Sequence, residues 1–358
     1  MALFATFVDK LFPRERIFLM SNGIYFIMSK EENSRIWFAV INGYAASKKA
    51  GTLWKAVDEL LKEKGVAYHG TRTGKAGNAA ELTFDACMAG YRRFVAVGGD
   101  GTVHDVLNGI AAYVEWTSEY PGSVSFSDFT LGVIPLGSGN DWIKSHGIKH
   151  DIEHAVDALI KGKTCCQDVV KVSLLDPIAI PVEREISVSY MVNVGGVGID
   201  ARVCERVNAK KKEGKRGRIL YVSSLIHAIM RRVPAYAKVY CDGKMVFDGA
   251  YLSMAFGIGK YSGGGMRQTP EAVIDDGMLD MTLIPEIAMS RILVEAPRLF
   301  TGTFLKVPEL TSCRGKVLTV IPYGDNAAEP VEVDGEVVGK APVRFEVKPD
   351  GINVVTGI

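Results

Sequence analysis

With 358 residues, 47% of them hydrophobic, the chain can bury a sizeable core, and its length points to two domains. Its 42 Lys and Arg against 41 Asp and Glu leave a net charge of +1, which excludes a global field for nucleic acid and leaves any membrane attraction to local patches. Six cysteines without a CxxC pair read as ordinary thiols of a reducing cytoplasm, not as a disulfide framework.

The first 28 residues are unusually apolar, from Phe4 and Phe7 to Phe26 and Ile27. Arg14, Glu15 and Arg16 interrupt them, so the stretch reads neither as a secretory signal nor as the roughly 20-residue run of a membrane span. Residues 1–35 are therefore an extension, with core packing, a homodimer contact or a membrane-touching segment as its candidate roles. After it, residues 36–41 are a strand, 48–64 a helix stopped by Gly65, 66–71 a strand, and Ala79 to Ala89 a helix stopped by Gly90. Alternation of this kind predicts parallel strands with right-handed crossovers, a Rossmann-like α/β domain over residues 36–165.

The next unit carries the chemistry. Val95 to Val97 is a buried strand, and Val103, Val106, Leu107, Ile110, Ala111 and Val114 recur on one face of a helix. Between them runs Gly98-Gly99-Asp100-Gly101-Thr102, where three glycines remove the Cβ atoms that would keep a ligand off the backbone and leave N–H groups at a helix N-terminus. That is a phosphate cradle. A carboxylate inside it would repel phosphates unless it holds a cation, orients a hydroxyl or takes a proton, so Asp100 points to nucleotide chemistry with Mg²⁺. A second strand-to-loop stretch, Thr130 to Asp141, ends in Pro135-Leu136-Gly137-Ser138-Gly139-Asn140-Asp141 and leaves from the same end of such a sheet, so the two loops could face one ligand, the alternative being that the first is a sharp glycine turn feeding a core helix. Asp151 caps one more helix, with Ile152, Val156, Leu159 and Ile160 on its apolar face.

From about Cys166 the texture changes to short β-branched runs: Val169 to Leu175, Ile186 to Val194, Ala237 to Cys241, Met245 to Phe247, Tyr251 to Phe256, Leu279 to Ile284, Val317 to Ile321 and Val343 to Val347. This predicts a β-rich antiparallel sandwich over residues 166–358, with Asp242-Gly243 as a hairpin turn, Cys165-Cys166 as core thiols at a strand start, and a tail that packs back on the first domain. Among the strands, Lys210, Lys211, Lys212, Lys215, Arg216 and Arg218 cluster beside an apolar helix over Ile219 to Met230, a composition that suits an anionic bilayer surface as well as a solvated loop.

The loops at 98–102 and 135–141, followed by Gly263-Gly264-Gly265, by Pro270 to Asp280 and by Val333-Asp334-Gly335-Glu336, resemble the diacylglycerol kinase catalytic family in order and spacing, over roughly residues 36–350. The resemblance implies an enzyme that transfers a phosphate from ATP to a hydroxyl of diacylglycerol, a sphingoid base or ceramide, with Mg²⁺, from the cytoplasm or the inner face of the membrane. A kinase of a soluble acceptor such as NAD and a non-catalytic sensing module are the alternatives. By resemblance the cradle runs from Gly98 and Gly99 through Asp100, Gly101, Thr102 and Val103 to His104, joined by Ser138, Asn140 and Thr73. Glu336 is the proton acceptor, with Asp100 the rival base, and Asp276 with the carbonyls of Val273 and Met278 holds a structural Mg²⁺. The chain departs from many relatives at Asn42-Gly43-Tyr44-Ala45-Ala46-Ser47, where an Asn-Pro and a Ser-Gly loop are usual.

Overall fold

A computed structural model describes residues 19–20, 23–24, 29–43, 50–74, 78–137, 139–212, 218–231, 233–324 and 329–357. Strands β1 (Leu19–Met20) and β2 (Gly23–Ile24) pair antiparallel ahead of a one-turn helix α1 (Lys30–Asn33). The rest of the apolar extension, and so its candidate dimer or membrane contact, lies outside the described residues.

The α/β part follows the order read from the sequence: β3 (Trp37–Ile41), α2 (Ala50–Glu63), β4 (Tyr68–Arg72), α3 (Ala79–Met88), β5 (Arg93–Gly98), α4 (Asp100–Ser118), β6 (Thr130–Pro135) and α5 (Ile152–Lys161). Its four strands lie side by side as β4-β3-β5-β6, all parallel. Trp37 to Ile41 and Phe94 to Gly98 are buried without a break, as strands covered by helices on both faces must be. Asp151 caps α5 by accepting the His154 N–H at 2.8 Å.

The β-rich part starts with the long β7 (Thr164–Leu175), then β8 (Glu185–Met191) and β9 (Val194–Gly198). Two helices follow, α6 (Ile199–Lys212) and α7 (Arg218–Met230), then β10 (Ala235–Cys241), β11 (Lys244–Gly257) and β12 (Leu279–Pro285). Two short helices, α8 (Met289–Glu295) and α9 (Arg298–Thr301), precede β13 (Thr311–Gly315), β14 (Val317–Tyr323), β15 (Pro330–Val333), β16 (Glu336–Lys340) and β17 (Val343–Val355). Asp242 and Gly243, both at positive φ (48° and 79°), turn β10 into β11 as a two-residue hairpin demands.

Strand β17 joins the two parts. It pairs antiparallel with β7 and β14, and its end at Asn353 and Val354 runs parallel to β6, so one hydrogen-bonded sheet spans both. Two cores flank this seam: one gathers the α/β strands with Val169, Tyr190, Ile352 and Val354, the other lies inside the β-rich part around Phe256 and Phe345, whose rings stack at 4.3 Å.

Three expectations change in detail. Met245 to Phe247 and Tyr251 to Phe256 are one strand, β11, because Gly249 at φ 158° carries the chain through the break. The run Ile186 to Val194 is cut in two, and β9 continues into the glycines at 195, 196 and 198. The thiols at 165 and 166 sit within β7 on alternate faces, so Cys166 is exposed and is not a core thiol.

Candidate active site

The glycine loop stands at the carboxyl ends of β3 to β6, where their connections converge. Its glycines are demanded by closeness. A Cβ on Gly98 would lie 2.1 Å from Thr102 Oγ1, and one on Gly137 would lie 2.6 Å from the Gly99 Cα, so the two loops touch backbone to backbone. Gly99 caps α4 without a side chain, and the first turn of that helix presents its N–H groups where an anion is favoured.

Asp100 opens α4 and is half-buried. Its Oδ2 accepts the Asp141 N–H at 3.1 Å and its Oδ1 the Trp142 N–H at 3.2 Å, so it clips the second loop to the first. Burial pushes its carboxyl above the ordinary range, the neighbouring Asp141 charge adds to this, and the two N–H bonds oppose it. Asp141 extends the clip: its Oδ1 meets Lys144 Nζ at 2.5 Å and its Oδ2 accepts the Gly264 N–H at 2.6 Å, drawing the third glycine run to the site. Asn140, buried at φ 51°, donates to the Gly137 carbonyl at 2.8 Å. Ser138 lies outside the described residues.

Thr73 follows β4 and accepts the Gly43 N–H at 3.1 Å, which ties the loops after β3 and β4 together. Asn42 donates to Thr102 Oγ1 at 3.0 Å, so the asparagine still braces the loop although Gly43 stands where a proline is usual. Val103 is packed in the core and contributes backbone alone. His104, read as the end of the cradle, turns its ring the other way: one turn into α4 it faces the late hairpin, and its Nδ1 lies 3.3 Å from Asp334 Oδ2.

That hairpin is β15–β16, and it brings Glu336 to the glycine loop. A Cβ on Gly101 would meet Glu336 Oε1 at 3.0 Å, so the carboxylate stands directly over the loop although some 230 residues separate the two in sequence. Asn208 of α6 donates to Glu336 Oε2 at 3.3 Å and to the Gly335 carbonyl at 3.1 Å. Asp334, at φ 51°, accepts the Asn193 N–H at 2.9 Å and the Val192 N–H at 3.1 Å. Burial disfavours a charged His104, but the Asp334 bond, with Asp105 and Glu336 behind it, outweighs burial and raises its pKa.

Three carboxylates escaped the sequence reading. Asp105 is pushed up to about 6 by burial, with the Glu336 charge adding and His104 opposing. Glu332 is buried and held well above the carboxylate range by burial, to which Asp200, Asp334 and Glu336 add, while the Gly335 N–H bond at 2.9 Å opposes. Asp200, in the first turn of α6, is half-buried, its carboxyl is raised by desolvation, and it accepts from Ser253 Oγ at 2.5 Å and Gln268 Nε2 at 2.8 Å. The three acids at 332, 334 and 336 alternate with valine and glycine, a pattern that marks the turn; nothing in the sequence ties Asp200 to them. Gly196 fits between Asp200 and Glu332, where a Cβ would meet them at 2.9 and 3.2 Å.

Beyond Asp200 opens an apolar pocket with about 760 Å³ of space, part of it open to solvent. Leu252, Ala255, Ile284, Ile292, Leu299 and Phe304 line it, from β11, β12, α8 and the turns around α9.

The turn read as a structural Mg²⁺ site is elsewhere. Asp276 is ion-paired with Arg314 of β13 and accepts the Met278 N–H at 3.1 Å, while the Gly277 N–H goes to Asp168 at 2.7 Å. Val273 is exposed. No group of three or more His, Cys, Asp or Glu side chains among the described residues could hold a metal ion.

Residues 37–172 match the diacylglycerol kinase catalytic domain, and residues 193–356 match the YegS C-terminal NAD kinase beta sandwich-like domain. A probable lipid kinase YegS-like of Enterobacter sp. (strain 638) is 27% identical over 320 residues, 88% of this chain and 93% of that protein. A diacylglycerol kinase of Mycobacterium tuberculosis is 26% identical over 319 residues, 88% of this chain and 92% of its own length. Among solved structures, a diacylglycerol kinase from Bacillus anthracis str. Sterne shares the fold with a TM-score of 0.65 at 19% identity, over 90% of this chain and 97% of that one.

Proposed function

Since the chain belongs to the diacylglycerol kinase catalytic family and is a lipid kinase, we propose that it moves the γ-phosphate of ATP, carried with Mg²⁺, to a hydroxyl of a membrane lipid, and that Glu336 accepts the hydroxyl proton. The observation that carries this reading is the Glu336 carboxylate over Gly101: a base beside a phosphate cradle.

The residues fit a nucleotide. The loop from Gly98 to Val103 offers the bare backbone of three glycines at a helix N-terminus, and Asn140, Thr73 and Asn42 hold that backbone in shape. Asp100 fits a part in holding Mg²⁺, since each carboxylate oxygen keeps a second lone pair after accepting its N–H. The metal would offset the charge of the phosphates. At Asp276 the fit is poor, because the Arg314 guanidinium already meets the carboxylate, and no step is assigned to that turn. Between the two candidate bases, Asp100 is half-buried and engages both oxygens with the second loop, whereas Glu336 is exposed where an acceptor hydroxyl can reach it.

The apolar pocket suits the hydrocarbon tail of a diacylglycerol, a sphingoid base or ceramide. The acids from Asp200 through Glu332 to Glu336 lead from it to the glycine loop. Met230, Val233, Val294 and Phe300 are exposed on or beside α7, α8 and α9, which suits peripheral contact with a bilayer. Lys210 and Arg231 would add basic charge there, while the side chains of Lys211 and Lys212 and residues 213–217 lie outside the described residues. No helix of the described residues is long and apolar enough to cross a membrane.

The test is purified protein with labelled ATP and a panel of diacylglycerol, sphingosine and ceramide vesicles, together with an Ala255→Trp variant that fills the pocket. One lipid class gains label, and the variant raises KM for its long-chain form far more than for a short-chain analogue. If ATP binds and no lipid is labelled, the proposal falls; if the variant treats both chain lengths alike, the tail lies elsewhere.

A further inference from the structure

We propose that His104 is a positioning residue whose bond to Asp334 sets where the Glu336 carboxylate stands over the glycine loop. The inference rests on the reading of Glu336 as proton acceptor.

Glu336 has little of its own to hold it. Its carboxylate is exposed and, among the described residues, takes one long hydrogen bond, from Asn208. Its place is therefore set by the turn that precedes it, where Asp334 and Gly335 both adopt positive φ (51° and 87°). That turn is pinned on its own side by the Asp334 N–H to the Val194 carbonyl at 3.0 Å and the Gly335 N–H to Glu332 at 2.9 Å. Neither bond reaches the helix that bears the glycine loop. Among the described residues, His104 to Asp334 is the one hydrogen bond between the hairpin and α4. The side chains are 9% and 3% exposed, so water competes little for a bond that a charged partner strengthens.

Asp334 is thus a three-way junction. One carboxylate joins α4 through His104, the β8–β9 connection through the Val192 and Asn193 N–H groups, and the tip that carries Glu336. A turn further along α4, Asn108 accepts the Tyr190 N–H at 2.9 Å and donates to its carbonyl at 3.0 Å, which fixes α4 to β8 independently. Removing the His104 donor therefore leaves the two halves docked and releases the hairpin tip from α4, while the Val192 and Asn193 N–H groups and Asn208 still hold it on the β-rich side.

His104→Leu removes the donor at similar bulk, while His104→Asn returns an amide nitrogen at the position of Nδ1. With ATP and dioctanoylglycerol or sphingosine in detergent micelles, the Leu variant should lose about 10²-fold in kcat, the scale of a small misplacement of a reacting group, with ATP affinity by calorimetry unchanged. The Asn variant should recover most of the loss. In a Glu336→Gln background the Leu change should cost nothing more. Amide exchange, which needs no substrate, should rise at residues 333–337 in the Leu variant and not in the Asn variant. Equal losses in both variants, a loss of ATP affinity in place of kcat, or an unchanged exchange pattern would overturn the role of His104. Full activity of Glu336→Gln alone would instead remove the proton acceptor, and the exchange comparison would still decide what positions the hairpin.

Discussion

The two carboxylates at the cleft are held in opposite ways. Asp100 is half-buried, bonded through both oxygens to backbone N–H groups, and built into the first turn of α4. Glu336 projects from a hairpin tip into solvent and reaches the same loop from the other half of the molecule. One can shape a surface but moves little; the other can meet a proton but is aimed only through its neighbours. A site that must grip one substrate and admit another gains from such a division, because a gripping group works best preorganised and a base works best accessible.

The largest expected effect would break the comparison if it failed. Glu336→Gln should lower kcat by about 10²- to 10⁴-fold, the usual weight of a general base, while thermal stability and ATP affinity stay as they were. Loss of stability would mean that the hairpin acid is structural after all. Asp100→Ala should show the converse pattern. It leaves the Asp141 and Trp142 N–H groups without their acceptor, at about 1–3 kcal/mol for each buried donor, so its unfolding midpoint in urea should fall. Binding of ATP should fall with it, since the second loop is then unclipped. An Asp100→Ala protein as stable as the parent would show that the loops hold each other without the clip.

The division between these regions also marks what the sequence discloses. Strands β3, β5 and β6 and the helices between them were legible because a buried parallel strand reads as an unbroken apolar run and an amphipathic helix has its own period. The glycine loop was legible because closeness to a backbone excludes side chains, and that exclusion is written in the residues themselves. Strand β9 was not, since three of its five residues are glycine: a Cβ at 195 would lie 2.8 Å from the Glu332 carbonyl, and crowding of that kind has no local trace. Asp200 is an ordinary acid at the start of an uncalled helix until the fold sets Gln268 and Ser253 against it. His104 looked like part of the cradle because it follows it directly; only the return of residue 334 shows which way its ring turns.

The smallest effect sharpens the comparison from the side of stability, and it concerns the loop that Asp100 clips. His146 lies in the short turn after Asp141 and Trp142, with its ring 4.6 Å from that of Trp142. Burial lowers its pKa to about 4. The sign follows directly: the folded protein keeps this ring neutral, whereas the unfolded chain takes up a proton below about 6.5, so acid favours unfolding across that window. The stability that His146 contributes is fully present above about 6.5 and is lost as pH falls towards 4, an amount of about 2 kcal/mol by pH 5. Asp105, held up near 6, acts in the opposite sense, because there the folded state binds the extra proton. Its contribution is common to the parent and to a His146→Gln variant and cancels between them. Urea unfolding of both proteins at pH 7 and pH 5 should therefore show the parent losing about 2 kcal/mol more than the variant, whatever the variant has lost at pH 7. Amide exchange at pH 5 should place the added opening at the residues after Asp141 and not at the hairpin of Glu336; equal slopes, or opening at the hairpin, would mean that acid reaches the cleft from the hairpin side and not from the clipped one.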